Sequence, residues 1–108
     1  MKDSPLVSVV IPTYNSEKTL AKCLESIKNQ TYKNTESVIV DNFSTDKTTE
    51  IAEKFGVGVF FKGPERSSQV NFGVEKSKGK YIYRVDSDFV LDPTVIEEAV
   101  DKLSLIHI

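Results

Sequence analysis

Two carboxylates directly after a short apolar segment are the residues best suited to metal chemistry. Asp86 and Asp88 are separated by one residue and follow the β-prone run Tyr81–Val85. In an extended chain, residues two apart lie on the same face, so the two carboxylates can converge on one point. Such a pair repels itself unless a cation or hydrogen-bond donors lie between the groups. Oxygen ligands favour Mg²⁺ or Mn²⁺, and Mg²⁺ is often held by one or two carboxylates together with substrate phosphates. The alternative is an acidic turn exposed to water.

Two further polar clusters also follow apolar segments. Leu6–Ile11 is almost continuously apolar and rich in β-branched residues, which is typical of a strand buried on both faces of a parallel sheet. Pro12 is expected to end this strand, and Thr13–Asn15 follows as a polar loop. The run Ser37–Val40 leads in the same way to the pair 41–42, an aspartate and an asparagine. The sequence therefore places polar side chains at the ends of three predicted strands.

The segments between the strands have the apolar spacing of amphipathic helices. Val57–Phe61 predicts one more strand, and the resulting βαβαβαβα order is typical of a parallel sheet with helices on both faces. We therefore predict one domain over residues 1–108, with a three-layer α/β/α, Rossmann-like fold and a mainly parallel sheet. Ligands of such sheets bind outside the carboxyl ends of the strands, so the three polar clusters should share one crevice. The helical stripes are Leu20, Cys23, Leu24 and Ile27; Ile51, Ala52 and Phe55; Val70, Gly73, Val74 and Ser77; and Val95, Ile96, Ala99, Val100 and Leu103.

Composition and charge exclude several classes of protein. The net charge of −2 and the pI of about 5.4 argue against a nucleic-acid-binding surface. The one cysteine, Cys23, cannot form an internal disulfide and is expected to pack in the core. The first apolar run is too short to span a bilayer, so we expect no membrane segment. The expected location is the cytoplasm, or the cytoplasmic face of a membrane in a longer protein. Glycine-rich phosphate loops are absent, so phosphate has to be held by a metal ion, by lysine or arginine, or by helix amino ends.

Five short segments, in this order, resemble the inverting family 2 glycosyltransferases of the GT-A fold. They are Val9–Asn15, Val40–Asp46, Asn71–Gly73, Gly79–Ile82 and Asp86–Asp88, and the resemblance covers residues 6–103. It implies the N-terminal nucleotide-sugar-binding half of such an enzyme, with strands in the order 3-2-1-4. The complete enzyme would transfer a sugar with inversion from a nucleoside diphosphate, UDP being the favoured one, to an acceptor hydroxyl. It would use a divalent metal, Mg²⁺ or Mn²⁺.

The resemblance also implies roles for single positions. Pro12, Thr13 and Tyr14 would line the base pocket, Asp86 would contact the ribose or sugar, and Asp88 would coordinate the metal on the diphosphate. The expected metal ligands are Asp88 and Asp86. The expected nucleotide-sugar-binding residues are Pro12, Thr13, Tyr14, Asn15, Asp41, Asn42, Arg66, Asn71, Asp86 and Ser87.

Three positions depart from the family's pattern. Asn42 replaces the second of two paired acids, Phe43 replaces the usual glycine of that turn, and Val70 stands where an arginine is usual. An amide reverses part of the donor and acceptor pattern of a carboxylate, which leaves the identity of the base open. Arg66 and Lys62 are the nearby cations that could approach a diphosphate.

No catalytic base is assigned in this chain. Inversion is helped by a carboxylate base, which in the family lies well downstream of the Asp-x-Asp motif, so we expect donor binding without sugar transfer. His107, the only histidine, is interpreted as a packed or disordered tail residue. Residues 104–108 are interpreted as a truncation or a non-native end. Apolar surface around Val100, Leu103, Leu105 and Ile106 is expected to be exposed and to favour a homodimer.

Three other interpretations remain open at this point. A non-catalytic nucleotide-sugar-binding module would use the same crevice. A phospho-accepting receiver domain needs an acidic pair after its first strand, where this chain has Pro12 and Thr13. A sugar nucleotidyltransferase needs a glycine-rich basic signature near its start, which is missing here.

Overall fold

The computed structural model describes the backbone of residues 4–106 and the side chains of residues 4–103. Strands and helices alternate throughout this part of the chain, which confirms the predicted order. The expectations for His107 and for the side chains of residues 104–108 lie outside the described residues. The elements are β1 (Val7–Thr13), α1 (Leu20–Lys28), β2 (Thr35–Asp41), α2 (Thr48–Lys54), β3 (Val59–Phe61), α3 (Arg66–Lys76), β4 (Tyr81–Arg84) and α4 (Val95–Ile106).

The four strands form one parallel sheet in the order β3-β2-β1-β4, which confirms the order that the resemblance implied. β1 lies between two neighbours and is buried along its whole length, as its continuous apolar run predicted. It does not end at Pro12, because a proline φ is compatible with a strand and costs only its own N–H bond. Thr13 pairs with Asp41, and Asp41 pairs with Phe61, so the carboxyl ends of three strands lie side by side.

The side chains of β1 alternate between two apolar layers, as the period of a strand requires. Val9 and Ile11 belong to a large cluster with α1, α2 and α4 on one face of the sheet. Val10 packs on the other face with Val40 and with Phe72 of α3. The predicted three-layer α/β/α arrangement is therefore confirmed. Further buried members of the large cluster are Leu20, Leu24, Ile27, Ile39, Ala52, Val85, Ile96 and Val100.

Helix α3 meets the sheet through a face that differs from the predicted stripe. Gly73 is buried, and a Cβ at this position would lie 2.6 Å from Val10 Cγ1, so the helix backbone approaches β1 closely here. Val74, predicted to share that face, is 44% exposed, whereas Gln69 is buried. Gln69 and Gly73 are four residues apart, so they form the inner face of the helix.

The expectation that Val100 is exposed is wrong. Its side chain is buried in the large cluster together with Ile96, because α4 packs beside α1. Two contacts hold the start of α4 there: Thr31 N donates to Pro93 O, and Gln30 Oε1 accepts from Ile96 N. Among the residues described, no helix has both the length and the apolar character required to cross a membrane.

Candidate functional site

A buried carboxylate joins the ends of β1 and β2. Asp41 is fully buried, and its Oδ1 accepts hydrogen bonds from Thr13 Oγ1 and Ser44 Oγ, each at 2.6 Å. Its Oδ2 accepts from the Ser44 backbone N–H at 2.7 Å. Hydrogen bonds to a charged group stabilise a fold by about 1.5–3 kcal/mol each. Asp41 therefore fixes the positions of the two strand ends from beneath the surface.

The loop after β1 is bonded to the loop after β2. Asn15 N donates to Ser44 Oγ at 2.7 Å, and Asn15 Oδ1 accepts from Thr45 N at 2.9 Å. Asn15 has a φ of +48°, a left-handed conformation that asparagine tolerates better than most residues. Ser16 N donates to Thr48 Oγ1 at 2.8 Å. Because α1 begins only at Leu20, Asn15 and Ser16 lie outside the helix and join the two loops.

A second acid strengthens the same junction. Asp46 Oδ1 accepts from Thr48 N at 2.9 Å, and its Oδ2 accepts from Glu17 N at 3.1 Å. Slight burial acts in the opposite direction, but these hydrogen bonds lower the pKa of Asp46. The carboxylate is therefore ionised at neutral pH and holds the start of α2 against the loop after β1.

The loop after β4 carries the Asp-x-Asp motif and is bonded to its surroundings at two points. Ser87 Oγ lies 2.9 Å from Ser16 Oγ, which connects it to the loop after β1. Asp86 Oδ1 accepts from Arg66 Nη1 at 3.0 Å and lies 3.7 Å from Arg84 Nη2. Asp88 is exposed, and within residues 4–103 its carboxylate has neither a hydrogen bond nor an ion pair. One acid of the motif is thus neutralised by arginine and the other is open to solvent.

Gln69 positions α3, and sequence reasoning missed it. Its side chain is buried, and Nε2 donates to Thr13 O at 2.9 Å and to Val40 O at 2.8 Å. These bonds hold α3 across the carboxyl ends of β1 and β2. Arg66, the first residue of the helix, thereby lies within reach of Asp86. A signal was present, because Gln69 precedes Gly73 by one helical turn and so shares its face.

The turn after β2 has an unusual shape around the two residues that depart from the family pattern. Asn42 Nδ2 donates to Pro64 O at 3.0 Å. A Cβ on Gly63 would lie 1.9 Å from Asn42 Oδ1, so glycine makes room for the amide. Phe43 has a φ of +52° and is 63% exposed. Its ring stacks on that of Phe61 at the end of β3, with the centroids 5.8 Å apart.

Hydrogen bonds thus connect the three polar clusters after β1, β2 and β4, which are predicted to share one crevice. Pro12 is buried within β1, and Tyr14 is 60% exposed in the loop that follows. Asn71 is exposed on α3, and no described contact joins it to the other predicted site residues. Its predicted role stays a prediction.

Cys23 packs beneath the Asp-x-Asp loop. Its Sγ lies 3.8 Å from Asp86 O. Burial, and then the charge of Asp88, raise the pKa of the Cys23 thiol to about 11. The thiol is therefore protonated at neutral pH, which confirms the predicted packing role rather than a reactive one.

Asp86 and Asp88 are suited to a metal ion that is also coordinated by a bound ligand, rather than to one enclosed by protein side chains. Within the described residues, no group of three or more histidine, cysteine, aspartate or glutamate side chains is placed to hold an ion. Asp86 and Asp88 are two carboxylates on one exposed loop. That is the usual protein contribution to a Mg²⁺ site completed by phosphates and water.

Comparison with known proteins identifies the family. A sequence model described as "Glycosyl transferase family 2" matches residues 8–105. The chain belongs to this family. The receiver and nucleotidyltransferase interpretations are thereby excluded, and the resemblance stated above is confirmed.

Individual relatives agree with this assignment, and this chain matches only part of the length of each. The glycosyltransferase GlyG of Streptococcus pneumoniae is 41% identical over 102 residues, which cover 87% of this chain and 34% of GlyG. Residues 1–349 of S. aureus TarS, in complex with UDP, superpose with a TM-score of 0.85 at 29% identity, covering 94% of this chain and 32% of that TarS fragment. The mannosyltransferase PcManGT of Pyrobaculum calidifontis, solved with GDP-Man and Mn²⁺, shares the fold at a TM-score of 0.82 and 24% identity. The chain thus has the GT-A fold and spans about a third of the length of GlyG, of PcManGT and of this TarS fragment.

Proposed function

We propose that this chain binds a nucleoside diphosphate sugar at the carboxyl edge of the sheet. One observation carries the proposal: Thr13–Asp41 joins the ends of β1 and β2, Ser16–Ser87 joins the loops after β1 and β4, and Arg66 reaches Asp86 beside them. Family membership supports it, and so does the UDP bound to TarS at 29% identity. In a complete protein, the bound sugar would pass with inversion to an acceptor hydroxyl.

The nucleobase of the donor is proposed to bind at the end of β1 and at the loops after β1 and β2. Pro12, Thr13, Tyr14 and Asn15 form one side of this site, and Asn42 forms the other. Asp41 acts from below by fixing both loops, because its carboxylate is buried and already accepts three hydrogen bonds. UDP is the favoured nucleotide, although the amide of Asn42 pairs differently from the acid usual at that position.

The ribose and diphosphate are proposed to bind between α3 and the loop after β4. Asp86 and Ser87 would face the ribose or the sugar. Arg66 would bind a phosphate, because its planar guanidinium pairs well with phosphate and is more than half exposed. Arg66 lies four residues before Val70, one helical turn from the position where an arginine is usual. It could therefore supply the missing cation from the same side of α3. Asn71 is kept as a further candidate in this group.

A divalent ion, Mg²⁺ or Mn²⁺, is part of the proposal. Asp88 and Asp86 would hold it together with the ligand phosphates, since Asp88 is exposed and has no partner among the described side chains. When bound, such an ion offsets the charge of the departing nucleoside diphosphate. The residues of the chain itself orient the donor. In the absence of the metal ion, Arg66 neutralises the charge of Asp86.

The 108 residues are proposed to be the donor-binding half of the enzyme. No residue of the described part is assigned as general base, and a positioned base contributes about 10²–10⁴-fold to rate. We therefore expect this chain to bind donor without transferring sugar. A non-catalytic binding module would give the same binding result, so product formation by a protein of the relatives' length distinguishes the two. The free, buried Cys23 is the basis for proposing a cytoplasmic location.

A homodimer remains a proposal, but the exposed residues on which it rests differ from those expected from the sequence. Val100 is buried, but Ile82 on the edge strand β4 is exposed, and so, separately, are Phe89 and Val90 in the loop after β4. Exposed apolar groups of this kind favour self-association. Light scattering over a range of concentrations should show a mass above that of a monomer, and Val90→Ser should lower it. A monomer at all concentrations contradicts the dimer.

Titration calorimetry tests the binding proposal. UDP, GDP and TDP are titrated into the chain with Mn²⁺ and, separately, with EDTA. We expect the nucleotide to bind only when Mn²⁺ is present. In Asp88→Asn, which loses one of the two carboxylates, the affinity should no longer differ between Mn²⁺ and EDTA. Asp101→Asn, on the exposed side of α4, is the matched control and should behave like the wild type. Equal affinity in EDTA would exclude a bridging metal, and no binding of any nucleotide would refute the function.

A further inference from the structure

Two aromatic side chains lie exposed beside the proposed nucleotide site. Phe43 and Phe61 are 63% and 48% exposed, and their stacked rings are inclined by 24°. Asp41 links them in the fold, because it pairs with Phe61 across the sheet and stands two residues before Phe43. Apolar surface left in water next to a polar cluster is typical of a binding site.

The backbone holds Phe43 in an unfavourable conformation. Its φ of +52° lies in the left-handed region, which is costly for a side chain with a Cβ. The chain is fixed on both sides: Asn42 N donates to Thr13 O, and Ser44 N donates to Asp41 Oδ2. Strained residues that are held in this way cluster at ligand sites. Strain and exposure together indicate that the ring serves something other than packing.

We propose that Phe43, supported by Phe61, is a base-stacking residue that forms a flat apolar wall of the nucleotide site. This inference rests on the proposed function. The bond from Asn15 N to Ser44 Oγ joins the turn that carries Phe43 to the loop that carries the exposed Tyr14. Tyr14 and Phe43 each precede one partner of this bond, so both rings leave the backbone next to the same point. Nucleobases stack on aromatic rings through their faces, whichever base is present.

The same geometry predicts how selective the site is. Asp41 is buried and occupied, so the amide of Asn42 is the side-chain group left in this turn to read the polar edge of a base, and Pro64 O takes one of its N–H groups. Most of the affinity for the nucleobase then comes from stacking on its faces rather than from hydrogen bonds to its edge. The site should distinguish ligands with a base strongly from ligands without one, and should distinguish one base from another only weakly.

Calorimetry with two ligands tests the inference. UDP and inorganic pyrophosphate are titrated, both with Mn²⁺, into the wild type, Phe43→Leu and Phe43→Gly. Both variants should bind UDP at least fivefold more weakly, at the lower end of what stacking on an aromatic ring is worth. Their affinity for pyrophosphate, which has no base, should not change. Phe60→Leu is the control, because Phe60 is an exposed ring of β3 that packs edge-on against Phe72. It should stay within twofold of the wild type for both ligands.

The outcomes separate this inference from the proposed function. Unchanged UDP affinity in folded Phe43 variants overturns the stacking role and leaves the function intact. Equal losses for UDP and pyrophosphate also overturn it, because they indicate general damage to the site. A wild type that binds no nucleoside diphosphate overturns both. Phe61→Leu, which leaves the strained turn unaltered, serves if a Phe43 variant fails to fold, and it too should weaken UDP binding alone.

Discussion

Replacing Gln69 by leucine should destabilise the fold and weaken nucleotide binding together. The substitution keeps a similar volume but removes the two hydrogen bonds to Thr13 O and Val40 O. Thr13 O still accepts from Asn42 N, so that carbonyl is not left without a partner. The loss is then that of two net hydrogen bonds, about 0.5–1.5 kcal/mol each, or about 2 kcal/mol in total. In a domain of this size, the midpoint of thermal unfolding should fall by about 8–15 °C.

Nucleotide affinity shows whether the effect is local. Without these bonds α3 is no longer fixed over the strand ends, and Arg66 loses its position beside Asp86. We expect UDP binding at a temperature where the variant is folded to weaken by about tenfold, the equivalent of about 1.4 kcal/mol. Ile27→Val is the control, because it removes a buried methylene in α1 and costs about 1 kcal/mol without touching the site. Chemical unfolding and calorimetry measure both quantities. A Gln69→Leu protein with unchanged unfolding free energy would refute the positioning role.

Two further predictions concern stability. Gly73→Ala should destabilise the fold by up to about 2 kcal/mol, because overpacking against buried Val10 costs about 1–3 kcal/mol and the gain in helix propensity offsets about 1 kcal/mol; in chemical unfolding, Gly58→Ala, whose Cβ would meet nothing within 4 Å, should stay near the wild type. Glu36 provides a pH test: partial burial acts in the opposite direction, but hydrogen bonds from Ser8 and a backbone N–H lower its pKa from 4.5. Its contribution is therefore present above that value and lost as pH falls through the lower folded pKa. Glu36→Gln should show a smaller loss of unfolding free energy than the wild type between about pH 6 and pH 3, and identical losses would contradict this.

The alternation of strands and helices could be predicted because it depends on local patterns. The continuous apolar run of β1 identifies a strand covered on both faces, and Gly73 was placed on the stripe of α3 that faces the sheet, where the structure has it. Strand order came from the resemblance, since periodicity alone does not determine which strands are neighbours. The Asp-x-Asp motif was recognisable because its spacing itself suggests the chemistry.

The missed features depend on contacts between distant segments. Gln69 looks like a surface residue in the sequence, and only the two strand-end carbonyls above it explain its burial. Val100 was expected at the surface because the sequence of α4 does not show where the helix packs. Its position depends on Gln30 and on the contact of Thr31 with Pro93, and Gln30 and Thr31 are distant in sequence. The hydrogen bond from Thr13 to the buried carboxylate of Asp41 also has no local signal. These are tertiary hydrogen bonds, for which a single sequence has no periodic signal.

Paramagnetic broadening by Mn²⁺ in the presence of UDP tests the central claim most directly. The amide spectrum of the chain is recorded with UDP and Mg²⁺, and a small amount of Mn²⁺ is then added. Broadening should be greatest at residues 86–88 and should extend to the loop after β1, which Ser16 joins to Ser87. Residues at the opposite end of the sheet, such as Thr35 at the start of β2, should stay sharp. Broadening centred elsewhere, or of equal strength without UDP, would contradict a nucleotide and metal site on the Asp-x-Asp loop.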